Sequence, residues 1–312
     1  MKSLSLGPSL ANTKTLEKIS TLASLKKLKL RKCHKLEIVP KFLQLEELKI
    51  RKCSNILFKE SFVHKNFPLV KKFCFEYTTK LKDEDMEHLY LEFQNQLEHI
   101  SINHCYEISN KGIKHLSLFN NLHTLKARFL LSINDDLDVF WNKNMKKLDF
   151  RYCKKIGNNF CKNFKNNKIE YLDLQSTLIT DQGIIELLSN SWETIKTLRL
   201  KYCNELSNFS KFIISKNSTN LKHFTITNII PDTLLNFSLN KFKKLKIYES
   251  NFRTEDFQSI IPKLTNLKLL KLYKSNTNFD VMKLISNYCK NLKKLDISDS
   301  NFNSKKIIFF FS

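Results

Sequence analysis

The chain has 312 residues, 42% of them hydrophobic and 12% aromatic, so a large core is available and a disordered polyelectrolyte is excluded despite a formal net charge of +23. Its four glycines (Gly7, Gly112, Gly157 and Gly183) lie far apart, which excludes a glycine-rich phosphate loop and a dinucleotide fingerprint. The charge runs along the whole chain and predicts attraction to an acidic surface, although heavy use of Lys, Asn, Ile and Phe is also what an A/T-rich genome would encode.

The opening "MKSLSLGPSLANTK" holds no apolar core long enough for a signal peptide. No apolar run approaches a membrane span, the longest being the terminal "IIFFF". Eight cysteines without CxxC pairs or tight clusters do not form a secreted disulfide framework. The expected location is intracellular, cytoplasmic or nuclear.

From Leu25 onward the chain repeats itself. "LKKLKLRKC" at Leu25–Cys33 returns as "LEELKIRKC" at Leu45–Cys53. The same apolar-x-x-apolar-x-apolar pattern begins again at Val70, Leu97, Leu122, Met145, Ile169, Ile195, Leu221, Phe242, Leu267 and Leu292. The spacings run from 20 to 27 residues, the period of a stacked array. A weaker copy starts at Met1.

In each unit the alternation predicts a short strand with one apolar face. Leu28 and Leu30 then point inward, while Lys27, Lys29 and Arg31 point outward. A helical segment is expected after each strand, as in "TDQGIIELLSNSW" (Thr180 to Trp192) and "TEDFQSIIPKL" (Thr254 to Leu264). Both open with Thr followed by an acid, as a helix N-terminus favours.

The predicted fold is an α/β leucine-rich repeat solenoid (a horseshoe), with a parallel sheet on the concave face and helices on the convex face. One domain of about twelve repeats is expected over residues 1–312, with 1–24 a degenerate first repeat or N-terminal cap. The last residues, Phe309 to Phe311, are expected to fold back as a final helix or to meet another surface.

"LEHISINHCYEISNKGIKHLS" from Leu97 and "IEYLDLQSTLITDQGIIELLS" from Ile169 make a more specific resemblance. With "MKKLDFRYC", "IKTLRLKYC" and the pre-repeat Cys289, they resemble the cysteine-containing repeats of F-box/LRR proteins over nearly the whole chain. Such proteins carry an N-terminal F-box that docks on a cullin-ligase adaptor. Only 24 residues precede Leu25, and they look like another repeat. The resemblance therefore implies target recognition that relies on a separate protein, or a role outside ubiquitin machinery.

Cys33, Cys53, Cys105, Cys153 and Cys203 share one position, replaced elsewhere by Thr78, Thr177, Ser250, Ser275 and Ser300. That exchange fits a small inward side chain and not a metal ligand; Cys161 and Cys289 belong to the helix side. Cys74 stands at an outward position one strand from His99, and the expected role is an exposed or partner-contacting thiol rather than a nucleophile. The eight histidines show no paired ligand spacing, so no metal or other cofactor is expected. Asp149 and Asp173 are expected on a solvated face, neutralised by neighbours such as Lys147 and Arg151.

The outward positions stack Lys29 beside Lys49 and Arg31 beside Arg51, and repeat the motif with Arg128 and Arg151. Lys27 and Arg199 add charge, and Tyr248 and Tyr273 form an aromatic pair. Like charges on adjacent strands repel without a partner, and Arg and Tyr are the side chains that anchor interfaces. The expected function is non-enzymatic recognition of a protein partner with an acidic surface, with substrate selection in a ubiquitin-ligase (SCF-like) system as its context. The alternative is nucleic-acid or phosphate/anionic-surface binding through the same basic columns. Oligomeric state is not legible in the sequence.

Overall fold

The computed structural model describes residues 2–137, 139, 141–164 and 166–299, together with the backbone of 308–310. The chain divides into two compact units, residues 1–167 and 168–312.

The first unit holds strands β1 (Ser3–Leu6), β2 (Lys27–Arg31), β3 (Glu47–Arg51), β4 (Lys72–Glu76), β5 (His99–Asn103), β6 (Thr124–Lys126) and β7 (Lys147–Asp149). Its helices are α1 (Thr13–Ser20), α2 (Phe58–Ser61), α3 (Asp83–Phe93), α4 (Asn110–Ser117) and α5 (Asn158–Lys162). Each strand pairs in parallel with the next, and the register aligns equivalent residues: Leu4, Leu28, Leu48, Phe73, Ile100, Leu125 and Leu148 form one inward row. Met1, at the start of the weaker copy, lies outside the described residues, yet the remainder of that copy supplies β1 and α1.

The second unit holds β8 (Tyr171–Asp173), β9 (Thr197–Leu200), β10 (His223–Thr227), β11 (Lys244–Tyr248), β12 (Leu269–Tyr273), β13 (Lys294–Asp296) and β14 (Ile308–Phe310). Its helices are α6 (Asp181–Leu188), α7 (Asn208–Asn217), α8 (Pro231–Leu235), α9 (Thr254–Ile260) and α10 (Phe279–Tyr288). β8 to β13 run parallel. β14 pairs antiparallel with β13, so the chain folds back as a strand and not as a final helix, one of the two outcomes expected. A run of Ile and Phe fits an extended backbone, and pairing covers the open edge of β13. Phe311 and Ser300 lie outside the described residues.

This is the leucine-rich repeat architecture, and every repeat start from Leu25 to Leu292 precedes a strand that begins two residues later. Four backbone devices carry it. First, each turn after β2 to β13 passes through one left-handed residue with φ between 48° and 62°, from Lys32 to Asp299, and none of the twelve is glycine. Its N–H continues the ladder, as in Lys32 to the Arg51 carbonyl (2.8 Å) and Glu249 to that of Tyr273 (2.8 Å). Second, in most repeats the next residue buries a thiol or hydroxyl, and several of these bond a nearby carbonyl: Cys153 to Ala127 at 3.0 Å, Cys203 to Leu174 at 3.0 Å, Thr177 to Leu174 at 2.8 Å; Leu130 and Ile229 take the position in two others. Cys, Ser and Thr interchange there because each supplies a small donor.

Third, the residue before the repeat's first apolar position is often Asn, and its side-chain amide bonds a carbonyl of the preceding repeat. Asn121 reaches Asn95, Asn144 reaches Asn120, Asn220 reaches Glu193, Asn266 reaches Asn240 and Asn291 reaches Thr265, at 2.7 to 3.2 Å. Part of the asparagine excess is thus structural. Fourth, an acid in one repeat caps the helix start of the next. Asp83 accepts from the N–H groups of Ser109 and Gly112 (2.9 and 3.0 Å), and Asp135 from those of Gly157, Asn159 and Phe160 (2.8 to 3.0 Å). Asp181 accepts from the Ser207 N–H at 2.8 Å, so the Thr180–Asp181 signal serves the following helix, and Thr180 makes no side-chain cap bond. Gly112 is required by this arrangement, because a Cβ there would collide with the Asp83 carboxylate.

The expectation of a helix after every strand does not hold. Among the described residues, the connection from β2 to β3 contains none, and that from β6 to β7 contains none. The twenty-residue spacing from Leu25 to Leu45 leaves too little chain for a helix and its two turns, so Leu36, Val39 and Phe42 fill the core from an irregular segment. Phenylalanines supply the missing volume: Phe73 meets the rings of Phe62, Phe67, Phe75 and Phe93 at centroid distances of 5.2 to 6.0 Å. Phe73→Ala is expected to lower stability by about 3–5 kcal/mol, measured by urea unfolding, with Phe73→Leu well below that.

Candidate partner-binding face

The outward side chains of β2, β3 and β4 stand in register: Lys27, Glu47 and Lys72; Lys29, Lys49 and Cys74; Arg31, Arg51 and Glu76. Six cations therefore share the patch with two carboxylates, leaving a net charge of +4. Glu47 sits between Lys72 (2.8 Å) and Lys27 (3.6 Å). Burial pushes its carboxyl up, but hydrogen bonds and charge from the two lysines outweigh this and hold it below the usual range. Glu76 takes Lys49 at 2.5 Å and Arg51 at 3.9 Å. No carboxylate among the described residues lies within 4.0 Å of Lys29 or Arg31. Burial, and then the neighbouring charges of Arg31 and Lys49, hold the Lys29 ammonium below its ordinary pKa.

Cys74 is a correction. It occupies the expected outward position but is only 5% exposed, because the long chains of Lys49 and Lys72 flank so short a side chain. Burial pushes its thiol up to about 11, so it stays protonated. His99 aligns with Lys72 rather than with Cys74, and burial followed by nearby lysines drives its imidazole down to about 3. Asp149 and Asp173 are also corrected: both are 0% exposed rather than solvated. Asp149 lies beneath Arg128 (2.5 Å) and Arg151 (4.0 Å), and Asp173 accepts from Arg199 (3.2 Å) and Gln175 (2.8 Å). Arginine, not Lys147, neutralises Asp149.

One feature of the first unit escaped sequence reading. The left-handed turn residues Tyr77, His104, Phe129 and Tyr152 stack in a column, with centroids 4.0, 4.1 and 4.4 Å apart and planes within 21°. Arg51 and Lys52 lie over the Tyr77 ring at 5.4 and 5.2 Å. The signal was present in the residue before each Cys-type position, "EYT", "NHC", "RFL" and "RYC". A groove of about 280 Å³ runs along the column, and Arg51, Arg128 and Arg151 also line it. Seven of the predicted residues thus belong to the first unit: Lys27, Lys29, Arg31, Lys49, Arg51, Arg128 and Arg151.

Arg199, Tyr248 and Tyr273 belong to the second unit. Arg199 donates to the Tyr171 hydroxyl at 2.8 Å as well as to Asp173. The Tyr248 and Tyr273 rings lie 5.6 Å apart, but Tyr248 is only 8% exposed. The Lys201 ammonium sits 3.8 Å from its centroid and 4.3 Å from that of Tyr202. Lys271 pairs with Asp296 at 2.6 Å.

Among the described residues no group of three or more His, Cys, Asp or Glu side chains could hold a metal ion. None of the described helices is long and apolar enough to cross a membrane.

No protein-family model and no curated protein matches the chain. Solved structures do. A chain from the complex of Rad7 and Elc1 in yeast matches with a TM-score of 0.71 at 19% identity, covering 95% of this chain and 82% of that one. A chain from the TLR13–ssRNA13 complex matches with a TM-score of 0.49 at 14% identity, covering 94% of this chain and 49% of that one. The protein is a leucine-rich repeat protein by fold.

His99 gives a pH prediction. Unfolded, it takes a proton near 6.5; folded, only near 3. Between these values the unfolded state binds the extra proton, so stability falls as pH drops through 6.5. His99→Gln is expected to reduce the slope of unfolding free energy between pH 6.5 and 5 by about 1.4 kcal/mol per pH unit, read from urea titrations.

Proposed function

We propose that this chain is a non-enzymatic recognition module that captures an acidic segment of a partner protein on the open sheet face of its first unit. The observation that carries the reading is the +4 patch on β2 to β4, in which Lys29 and Arg31 have no carboxylate within 4.0 Å among the described residues. Like charges aligned on adjacent strands repel, and an acidic ligand relieves that repulsion. The second unit contributes Arg199, Tyr248 and Tyr273 as further contacts.

The context proposed is target selection within a ubiquitin-ligase system inside the cell. It is supported by the cysteine-type repeats that resemble those of F-box/LRR proteins. The likeness to a chain crystallised in the complex of Rad7 and Elc1 is consistent with work in an assembly. Nucleic acid is the weaker reading, because Glu47, Glu76 and Asp149 interrupt the basic face and the stacked column hides its ring faces from bases.

The test is a pull-down with the double variant Lys29→Glu, Arg31→Glu against a helix-side control, Lys14→Glu, Lys114→Glu. Partner capture is expected to fall about tenfold in the first and to stay unchanged in the second. Equal losses would sink a localised site. Tight, steeply salt-dependent binding of unrelated oligonucleotides, with no protein captured, would transfer the assignment to nucleic acid.

A further inference from the structure

The groove beside the aromatic column carries a more selective chemistry than attraction to acids. Arg51, Arg128 and Arg151 line one space of about 280 Å³. Glu76 lines it too and pairs with Lys49, and Asp149 lies beneath Arg128 and Arg151. Asp149 is fully buried and faces Arg128 and Arg151 through the same oxygen, Oδ2, at 2.5 and 4.0 Å. That shared anchor positions two guanidiniums at the groove.

The column adds to the same preference. Its rings stack face to face, so what it offers a ligand is ring edges, the positive side of the aromatic quadrupole. A nucleobase finds no open ring face there. Arg51 also lies over Tyr77, which ties the third guanidinium to the column. A carboxylate brings one charge and two oxygens. A phosphate monoester brings roughly −1.5 to −2 and three acceptor oxygens, the closer match to three guanidiniums around one groove, of which Arg128 already gives Nε and Nη2 to Asp149.

We infer that this groove is a subsite for a phosphate monoester on a side chain of the bound protein segment, with Arg51, Arg128 and Arg151 as its donors. The inference rests on the reading that a protein segment lies across the first unit. Arg51 reads the phosphoryl group most selectively, because it meets Glu76 only at 3.9 Å and its side chain is 42% exposed.

The experiment uses the full chain and fluorescence anisotropy with two labelled probes, an acidic peptide carrying one central phosphoserine and its serine counterpart. The phosphorylated probe is expected to bind about tenfold tighter. Arg51→Gln should bring that ratio near one, and Arg151→Lys, which keeps the charge but loses the fork, should reduce it partway. A ratio of one in the unaltered protein overturns the inference, as does a ratio unchanged by both variants. A 5′-phosphorylated oligothymidine that displaces the phosphopeptide in an Arg51-dependent way overturns the assignment to a protein side chain. Lys29→Glu, Arg31→Glu separates the two proposals. It should weaken both peptides alike; if it changes neither while the Arg51-dependent ratio persists, the column reading falls and the subsite stands.

Discussion

Each strand from β2 to β13 hands over to its turn through a residue with φ between 48° and 62°, a backbone region that side chains other than glycine enter at a cost of about 1–2 kcal/mol. The return for that strain is registration. The left-handed residue keeps its N–H in the ladder, turns the following thiol or hydroxyl inward beneath the chain, and projects its own side chain at the rim. Because the geometry recurs at the same place, side chains from successive repeats are brought within contact of one another. The basic columns and the stacked rings are both products of that alignment.

Alignment then makes electrostatics cumulative. A lysine on one strand is unremarkable, whereas Lys29 beside Lys49 and Arg31 beside Arg51 place like charges on neighbouring strands. The second unit resolves part of its charge internally, with Arg199 on Asp173, Lys271 on Asp296 and Lys201 over a group of tyrosines, while Lys246 stands beside Lys271 on the next strand. The first unit resolves only part of its own through Glu47, Glu76 and Asp149. What sets the first unit apart, and why it is assigned the recognition role, is its four outward arginines, Arg31, Arg51, Arg128 and Arg151, three of which line one groove.

Much of this was legible in the sequence because a period-two alternation inside a period near twenty-five admits few folds. It placed Leu28 and Leu30 inward, Lys29 and Arg31 outward, and Cys33 beneath the turn. What it misjudged were properties that depend on neighbours. Cys74 has an outward address but too short a side chain to reach solvent between Lys49 and Lys72. Asp149 likewise has an outward address yet lies under Arg128. The ladder of Tyr77, His104, Phe129 and Tyr152 was missed because the residue before the Cys-type position was treated as a spacer, when its left-handed backbone makes it a rim position. The heavy use of asparagine was related to genome composition, although the amides of the asparagines ahead of five repeats tie one repeat to the one before it.

The central claim, that left-handed turn residues register the repeats, is tested most directly at Lys32, whose side chain is exposed and whose φ is 56°. Urea unfolding of Lys32→Gly and Lys32→Val should separate the two in opposite directions. Glycine relieves the strained backbone and should hold or raise stability, while the β-branched residue should lower it by about 1–2 kcal/mol. The same pair at exposed Lys35, whose φ is not positive, should show no such preference for glycine. Valine tolerated at position 32 as well as glycine would contradict the account.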